Sequence, residues 1–340
     1  MSTLVGLDLD RLGPWLREHV GGDGADLRAT LMAGGKSNLT YLVTDGTREW
    51  IVRRPPVGPV LATAHDMARE YRVMTALAGT PVPVPTTYGL CTDTDVLGAP
   101  FYVMQRREGT PYRRAEELEV LGPERTRVIS ARMIDMLAVL HAVDPTEVGL
   151  DDFGRPEGFL ARQVRRWKTQ FDGSGSRELP DAVELHRRLL RDVPVESAAG
   201  VVHGDYRLDN LLVDQRDDVT AVLDWELATL GDPLTDLALL VVYGQLAKSG
   251  ETGTVVTSVA AAPGYLPDDE IIARYAAASE RDLAHVDFYL ALAAYKLAAI
   301  LEGVQFRHVH GQTVGEGLDS LGDDIDLLLA FGLAAIDGKG

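Results

Sequence analysis

Apolar residues recur at two different spacings in the first third of the chain. Leu7 to Val20 has them at helical intervals, which predicts a short leading helix. From Leu27 to Gln105 the pattern changes to short apolar runs separated by turn residues. Arg28 to Met32, Leu39 to Val43 and Trp50 to Arg53 are predicted strands, the last two joined by the Asp45-Gly46 turn signal. Thr63 to Leu77 returns to helical periodicity and is ended by Gly79-Thr80-Pro81. Thr87 to Cys91 and Phe101 to Met104 complete a predicted five-stranded sheet carrying one helix.

Beyond Gln105 the pattern is mostly helical. Pro123 to Ala142, Gly158 to Phe171 and Pro180 to Leu190 are predicted helices, as are Asp232 to Leu246, Asp268 to Ala278 and Leu283 to Phe306. Two short β-rich pieces, Asn210 to Val213 and Thr220 to Leu223, interrupt them. Ser249 to Tyr265, rich in Gly, Ser and Thr, predicts a mobile loop. The expected fold class is α+β. Residues 1–105 would form a small antiparallel-sheet lobe with its leading helix, and residues 106–340 a larger, mainly helical lobe.

Composition narrows the field of partners. Hydrophobic residues make up 46% and charged residues 25%, the balance of an ordinary globular protein. A formal net charge of -18 repels phosphate backbones and argues against general nucleic-acid or anionic-membrane binding. Cys91 is the single cysteine, so no intramolecular disulfide forms and no thiol-ligated zinc site can be built. Met1 to Gly24 carries acids and glycines without a signal-peptide core. The most apolar helical stretch, Phe288 to Leu301, is too short for a bilayer and contains Lys296. A cytoplasmic protein is expected.

The chemistry concentrates in Val201-Val-His-Gly-Asp-Tyr-Arg-Leu-Asp-Asn-Leu-Leu-Val-Asp214, followed by Ala221-Val-Leu-Asp-Trp-Glu226. Apolar pieces flank a polar turn, which puts Asp205 and Asn210 on a loop and Asp224 at a strand end. Three oxygen-bearing side chains so placed suit one hard cation. Magnesium takes oxygen ligands and keeps room for waters and nucleotide phosphates. Asp209, Asp214, Asp217 and Asp218 are read as ordinary loop acids.

His203-Gly204-Asp205, with Asn210 five positions on and Asp224 after the next strand, resembles the aminoglycoside phosphotransferase family. That family includes choline kinase-like enzymes and shares the protein-kinase fold, and the pattern corresponds to the kinase H-R-D-x-x-x-x-N loop and magnesium-binding Asp. The resemblance implies a phosphotransferase using ATP and Mg2+. It implies Asp205 as catalytic base, Asn210 and Asp224 as magnesium ligands, and His203 as organiser of the loop. Glu226 is either a contact to a second metal or an exposed strand-end acid.

In the first lobe, Ala33-Gly34-Gly35-Lys36-Ser37-Asn38 lies between two predicted strands. Gly34 and Gly35 let backbone approach phosphates, and Ser37 and Asn38 offer hydrogen bonds. A Walker A loop is rejected, because its first glycine falls at Thr30 and a strand follows. The family's phosphate-holding lysine aligns best with Arg53, a departure, and its acidic partner with Glu70. The competing reading of that pair is a surface ion pair of little worth. By the same resemblance, backbone near Met104 and Arg106 contacts adenine. Asp232 suits a helix N-cap and Asp236 a brace for the catalytic loop.

The resemblance extends over Leu27 to Arg307 and looks closest to the kinase-like domain associated with some acyl-CoA dehydrogenases. The residues carrying it are Arg53-Arg-Pro-Pro56, Ala64-His-Asp-Met-Ala-Arg-Glu70 and Asp224-Trp-Glu-Leu-Ala-Thr-Leu-Gly-Asp-Pro233. It implies a small-molecule hydroxyl acceptor, including hydroxyacyl thioesters. Cations on the acceptor-facing helices agree with an anionic acceptor: Arg162, Arg165, Arg166 and Lys168, then Lys296 and Arg307, with Arg207 in the loop. For any single one the competing reading is a solvated helix face, and Trp167 is read as core. The alternatives are a kinase for aminoglycosides or other amino-alcohols or sugars, a nucleotide-binding pseudokinase, and a metal-dependent hydrolase.

Overall fold

A computed structural model describes residues 4–22, 26–32, 38–58, 65–175, 177–195, 198–249, 257–311 and 320–338. The chain divides into two compact units, Met1–Gly109 with Thr220–Ala228, and Thr110–Val219 with Thr229–Gly340.

The first unit is built on five antiparallel strands in the order β1-β2-β3-β5-β4: β1 (Arg28–Leu31), β2 (Leu39–Thr44), β3 (Glu49–Arg54), β4 (Thr87–Cys91) and β5 (Phe101–Gln105). The β2–β3 hairpin turns at Asp45-Gly46, where Asp45 Oδ1 accepts the amides of Thr47 and Arg48 at 2.9 and 2.7 Å. Helix α1 (Leu9–His19) starts on the Asp8 carboxylate, which caps Asp10 and Arg11 at 3.0 and 3.2 Å. Its Leu12, Trp15 and Leu16 bury against Tyr41, Val43, Trp50, Val52, Phe101 and Val103. Trp15 meets Phe101 edge-on, with ring centroids 4.9 Å apart. Burial of a side chain such as Leu12 contributes about 1.5–3 kcal/mol.

Side chains alternate across a strand. Arg53 and Arg54 therefore leave β3 on opposite faces. Arg54 turns to the α1 side, where its guanidinium donates to the carbonyls of Gly6 and Leu97, the latter at 2.7 Å. Arg53 turns to the other side, where α2 (Met67–Leu77) lies. That helix begins at an Asp66 cap rather than at Thr63. A one-turn helix, α3 (Thr94–Leu97), precedes β5. The sheet thus carries helices on both faces, one more than its sequence pattern predicts, because the leading helix packs onto it.

The second unit is helical: α4 (Ala115–Glu119), α5 (Pro123–His141), α6 (Phe159–Gly173), α7 (Pro180–Arg191), α8 (Leu234–Lys248), α9 (Asp268–Ala278), α10 (Val286–Val309) and α11 (Leu321–Ile336). Helices α8 and α10 are apolar around most of their circumference and lie inside the unit, which removes the stripe of a surface helix. β6 (Gly200–Val202) pairs antiparallel with Thr229–Gly231. Gly231 is required there: a Cβ would lie 2.7 Å from the Phe159 ring. β7 (Leu211–Val213) follows the loop that β6 enters. Of the segment expected to be a mobile loop, residues 250–256 lie outside the described residues, and a short 3-10 turn forms at Val259–Ala261. No helix among the described residues is long and apolar enough to cross a membrane.

Candidate active site

In the first unit, a network of polar side chains meets on the α2 face of the sheet. The β3–β5 register sets Arg53 opposite Tyr102. Arg53 Nε lies 3.0 Å from Glu70 Oε2, and its Nη2 donates to Asp224. Glu70 is 1% exposed, and its carboxylate also accepts from the Tyr102 hydroxyl at 2.9 Å and from Asn38 Nδ2 at 3.1 Å. The same Asn38 amide reaches Glu226 Oε2 at 3.1 Å, while its Oδ1 meets His65 Nδ1 at 2.9 Å. Burial pushes the Glu70 carboxyl up to about 7, against the opposing pull of Arg53. One residue before Glu70, Arg69 donates twice to the Ala228 carbonyl, at 3.2 and 3.0 Å. Helix α2 is thereby tied to the end of the Asp224 segment. Asp224 itself is left-handed, with φ 64° and ψ 62°, and precedes a 3-10 turn closed by the Ala228 amide on Trp225 O at 3.0 Å, while Trp225 Nε1 donates back to Val222 O at 3.1 Å.

In the second unit the His203-Gly204-Asp205 turn is held from several directions. Gly204 has φ 87°, which a side chain would resist. The buried Asp236 carboxylate on α8 accepts the amides of His203 and Gly204 at 2.6 and 2.8 Å. Its Oδ2 also takes His141 Nε2 at 3.3 Å, and His141 Nδ1 meets the Tyr275 hydroxyl at 2.7 Å. Burial alone would raise the Asp236 carboxyl; the His141 bond and the loop amides outweigh it and leave it lowered. His203 Nδ1 accepts the Asp205 amide at 3.3 Å, which puts the ring proton on Nε2. Asn210 Nδ2 donates to Asp205 at both the backbone oxygen, 2.9 Å, and Oδ2, 3.1 Å. Tyr243 donates to Asp205 Oδ1 at 2.9 Å. Arg207 Nε lies 3.4 Å from Asp205 Oδ2 and 3.1 Å from Asp209 Oδ1.

Some expected residues take other positions. Lys296 donates to the Gly204 carbonyl at 3.0 Å and lies 5.8 Å from the Trp167 ring centre, so its ammonium supports the loop. Burial lowers its pKa, with the Asp205 charge opposing. Arg162 is taken up by the carbonyls of Arg155 and Glu157. Arg166 is exposed over Trp167, and Arg307 is exposed on α10. Arg106 pairs with Glu49 on the surface, and Met104 is buried in β5. Gly34, Gly35 and Ser37 lie outside the described residues. Asp209 and Asp217 are not simple loop acids. The Asp209 side chain is 8% exposed beside Arg207, and Asp217 is gripped by Arg125 at 2.6 Å.

Sequence reasoning missed Tyr102, Tyr243, Asp209 and His141. Tyr243 alone had a signal, standing seven residues after Asp236 and hence on the same face of one helix.

Among the described residues no group of three His, Cys, Asp or Glu forms a metal cage. Oxygen donors of the kind magnesium takes are present in each unit. In the second, Asn210 commits its amide nitrogen to Asp205, which turns its oxygen away from that partner, and in the first Asp224 and Glu226 are carboxylates.

A backbone-braced Asp on a loop, an Asn five residues on, and a strand-borne cation paired with a helical Glu define a kinase-like phosphotransferase. A model of the phosphotransferase enzyme family matches residues 28–289, and the chain belongs to that family. The Gallus gallus protein called acyl-CoA dehydrogenase family member 11 is 36% identical over 300 residues, covering 84% of this chain and 37% of that protein. This chain spans less than half the length of such relatives. A solved structure from Ralstonia eutropha, assigned as an aminoglycoside phosphotransferase, is 32% identical with a TM-score of 0.85, covering 97% of this chain and 98% of that one. A thermostable mutant of aminoglycoside phosphotransferase APH(4)-Ia, in ternary complex with AMP-PNP and hygromycin B, shares the fold at 15% identity and a TM-score of 0.60, covering 97% and 99%. The fold is the two-lobe kinase-like one, a sheet lobe followed by a larger helical lobe. The reaction class of that family is phosphoryl transfer.

Proposed function

We propose that the acceptor is an anionic, acyl-type hydroxy compound such as a hydroxyacyl thioester, with Asp205 as the base that takes its hydroxyl proton. The observation that carries the base role is the Asp205 carboxylate, fixed in place by Asn210 and Tyr243 on a loop that Asp236 braces. The likeness to a protein named for acyl-CoA dehydrogenases supports the acyl class of acceptor. Arg207 in the loop and the exposed Arg166 over Trp167 suit an acceptor that carries negative charge.

In this reading the acceptor oxygen forms a bond to the γ-phosphorus as the bond from phosphorus to the ADP oxygen breaks. The hydroxyl proton passes to Asp205 and from there to solvent. Arg53, steadied by Glu70 through Nε, would present its guanidinium charge to phosphate oxygens. Asn210 and Asp224, with Glu226, would hold magnesium, which supplies positive charge against the phosphates. Backbone of residues 34–38 and of the strand ending at Gln105 would cradle phosphates and adenine. Positioning and electrostatics carry the rate, since phosphoryl transfer asks little covalent work of the protein.

A kinetic screen with magnesium-ATP tests the acceptor class. Short hydroxyacyl-CoA thioesters should turn over faster than kanamycin-like amines, and the reverse order would sink the proposal. Asp205→Asn should lower turnover by about 100- to 10,000-fold while ATP binding persists. Near-normal turnover in that variant would remove Asp205 from the base role.

A further inference from the structure

We infer that Tyr243 is a positioning residue for phosphoryl transfer, holding the Asp205 carboxylate in the orientation in which it meets the acceptor hydroxyl. The inference rests on Asp205 being the base.

A carboxylate on a short side chain turns about its last torsion unless both oxygens are held. Here they are. Tyr243 donates to Oδ1 at 2.9 Å and Asn210 to Oδ2 at 3.1 Å. Each oxygen keeps a second acceptor site, so the clamp fixes the group without using up its capacity to take a proton.

The clamp is rooted in a single rigid element. Asp236 and Tyr243 stand seven residues apart on α8, two turns and about 10 Å along one face. Asp236 takes the backbone amides of His203 and Gly204, and Tyr243 takes the side chain of Asp205. One face of one buried helix thus sets both the path of the loop and the direction of its base.

The Tyr243 ring has a second use. The Arg207 guanidinium lies 5.0 Å from the ring centre, with Nε 3.1 Å from Asp209. Ring and Asp209 together hold Arg207 at 3.4 Å from Asp205 Oδ2, short of a tight ion pair. Without that restraint the cation would close on the base and occupy the oxygen the hydroxyl needs. Burial, and next the Asp205 charge, raise the phenol well above its usual range, so Tyr243 remains a donor at any working pH.

Four proteins decide the matter: wild type, Tyr243→Phe, Asp205→Asn and the double variant. The readout is phosphate release from magnesium-ATP with water as acceptor, which does not depend on the acceptor class. Tyr243→Phe keeps the ring and loses only the hydroxyl. It should lower kcat on the order of tenfold or more, the worth of a hydrogen bond to a charged group, with KM for ATP unchanged. In the Asp205→Asn background the same change should have no further effect, because its partner is already disabled. A Tyr243→Phe protein with wild-type kcat overturns the inference, and so does an equal fractional loss in both backgrounds, which reports a purely structural role. Full turnover in Asp205→Asn overturns the base assignment and Tyr243 with it. A dead Asp205→Asn beside a fully active Tyr243→Phe overturns the Tyr243 inference alone.

Discussion

Arg53, where the sequence leads one to expect a phosphate-holding lysine, owes its contacts to the shape of its guanidinium. Nε serves Glu70 while Nη2 serves Asp224, two nitrogens on a rigid fork reaching two carboxylates at once. A lysine ammonium at the same Cα is a single point and would have to favour one partner. Arg53→Lys keeps the charge and forfeits one contact, worth about 1.5–3 kcal/mol. The melting temperature should therefore fall, because Glu70 or Asp224 is left short of a partner. An unchanged melting temperature would show that the fork is dispensable. At this scale the sequence was informative wherever spacing along the chain fixes geometry, as for His203, Asp205 and Asn210. It was silent where the partner is brought in by folding. Nothing local announces that Asp209 is buried beside Arg207 or that Tyr102 will face Glu70.

Among the elements, the long periodic helices and several short strands, β4 and β7 among them, were legible, while α11 and the Thr229–Gly231 strand were not. Helix α9 appears with its expected limits, Asp268–Ala278, because three acids open it and an apolar stripe runs its length. Strand β6 and its partner Thr229–Gly231 have three residues each, too few for an alternation to show. Helix α11 contains Gly322 and Gly332, which weaken a helical reading, yet Gly332 is what lets it pack. A Cβ there would come within 2.6 Å of Leu185 Cδ2 on α7. Gly231 offers the cleaner test of such close approach, since the obstacle is the Phe159 ring at 2.7 Å. Gly231→Ala should destabilise by about 1–3 kcal/mol, seen as a lower melting temperature. Adding Phe159→Leu should recover part of that loss. If the single variant melts with wild type, the strand has room that the geometry denies.

For the molecule as a whole, buried ionisable groups set the response to acid. Burial holds His141 below its ordinary 6.5, so the unfolded chain takes a proton first as pH falls through 6.5. Asp236 is held below its ordinary 3.8, so the stability it contributes is present above 3.8 and lost as pH falls through its lower folded value. Both slopes have the same sign. Glu70 works the other way, since its carboxyl, raised to about 7, takes a proton first in the folded state and adds stability as pH falls toward its ordinary 4.5. The His141 part is read as a difference: the melting temperature of His141→Gln should gain on that of wild type as pH drops below 6.5, and a difference that stays constant between pH 7.5 and 5 would contradict the assignment. The division of the chain into units was only partly visible beforehand. Residues 220–228 group with the first unit although they lie deep in the second half of the sequence, and no composition shift marks the return.

The loop that carries Asp205 takes its shape from a helix that lies downstream of it, through contacts 33 and 38 residues away along the chain. A nascent or refolding chain can bury β6 and still lack a usable base. Regain of turnover after dilution from denaturant should therefore lag the return of helical signal, and its half-time should track the docking of α8. The enzyme's own activity then serves as a clock for the last tertiary step.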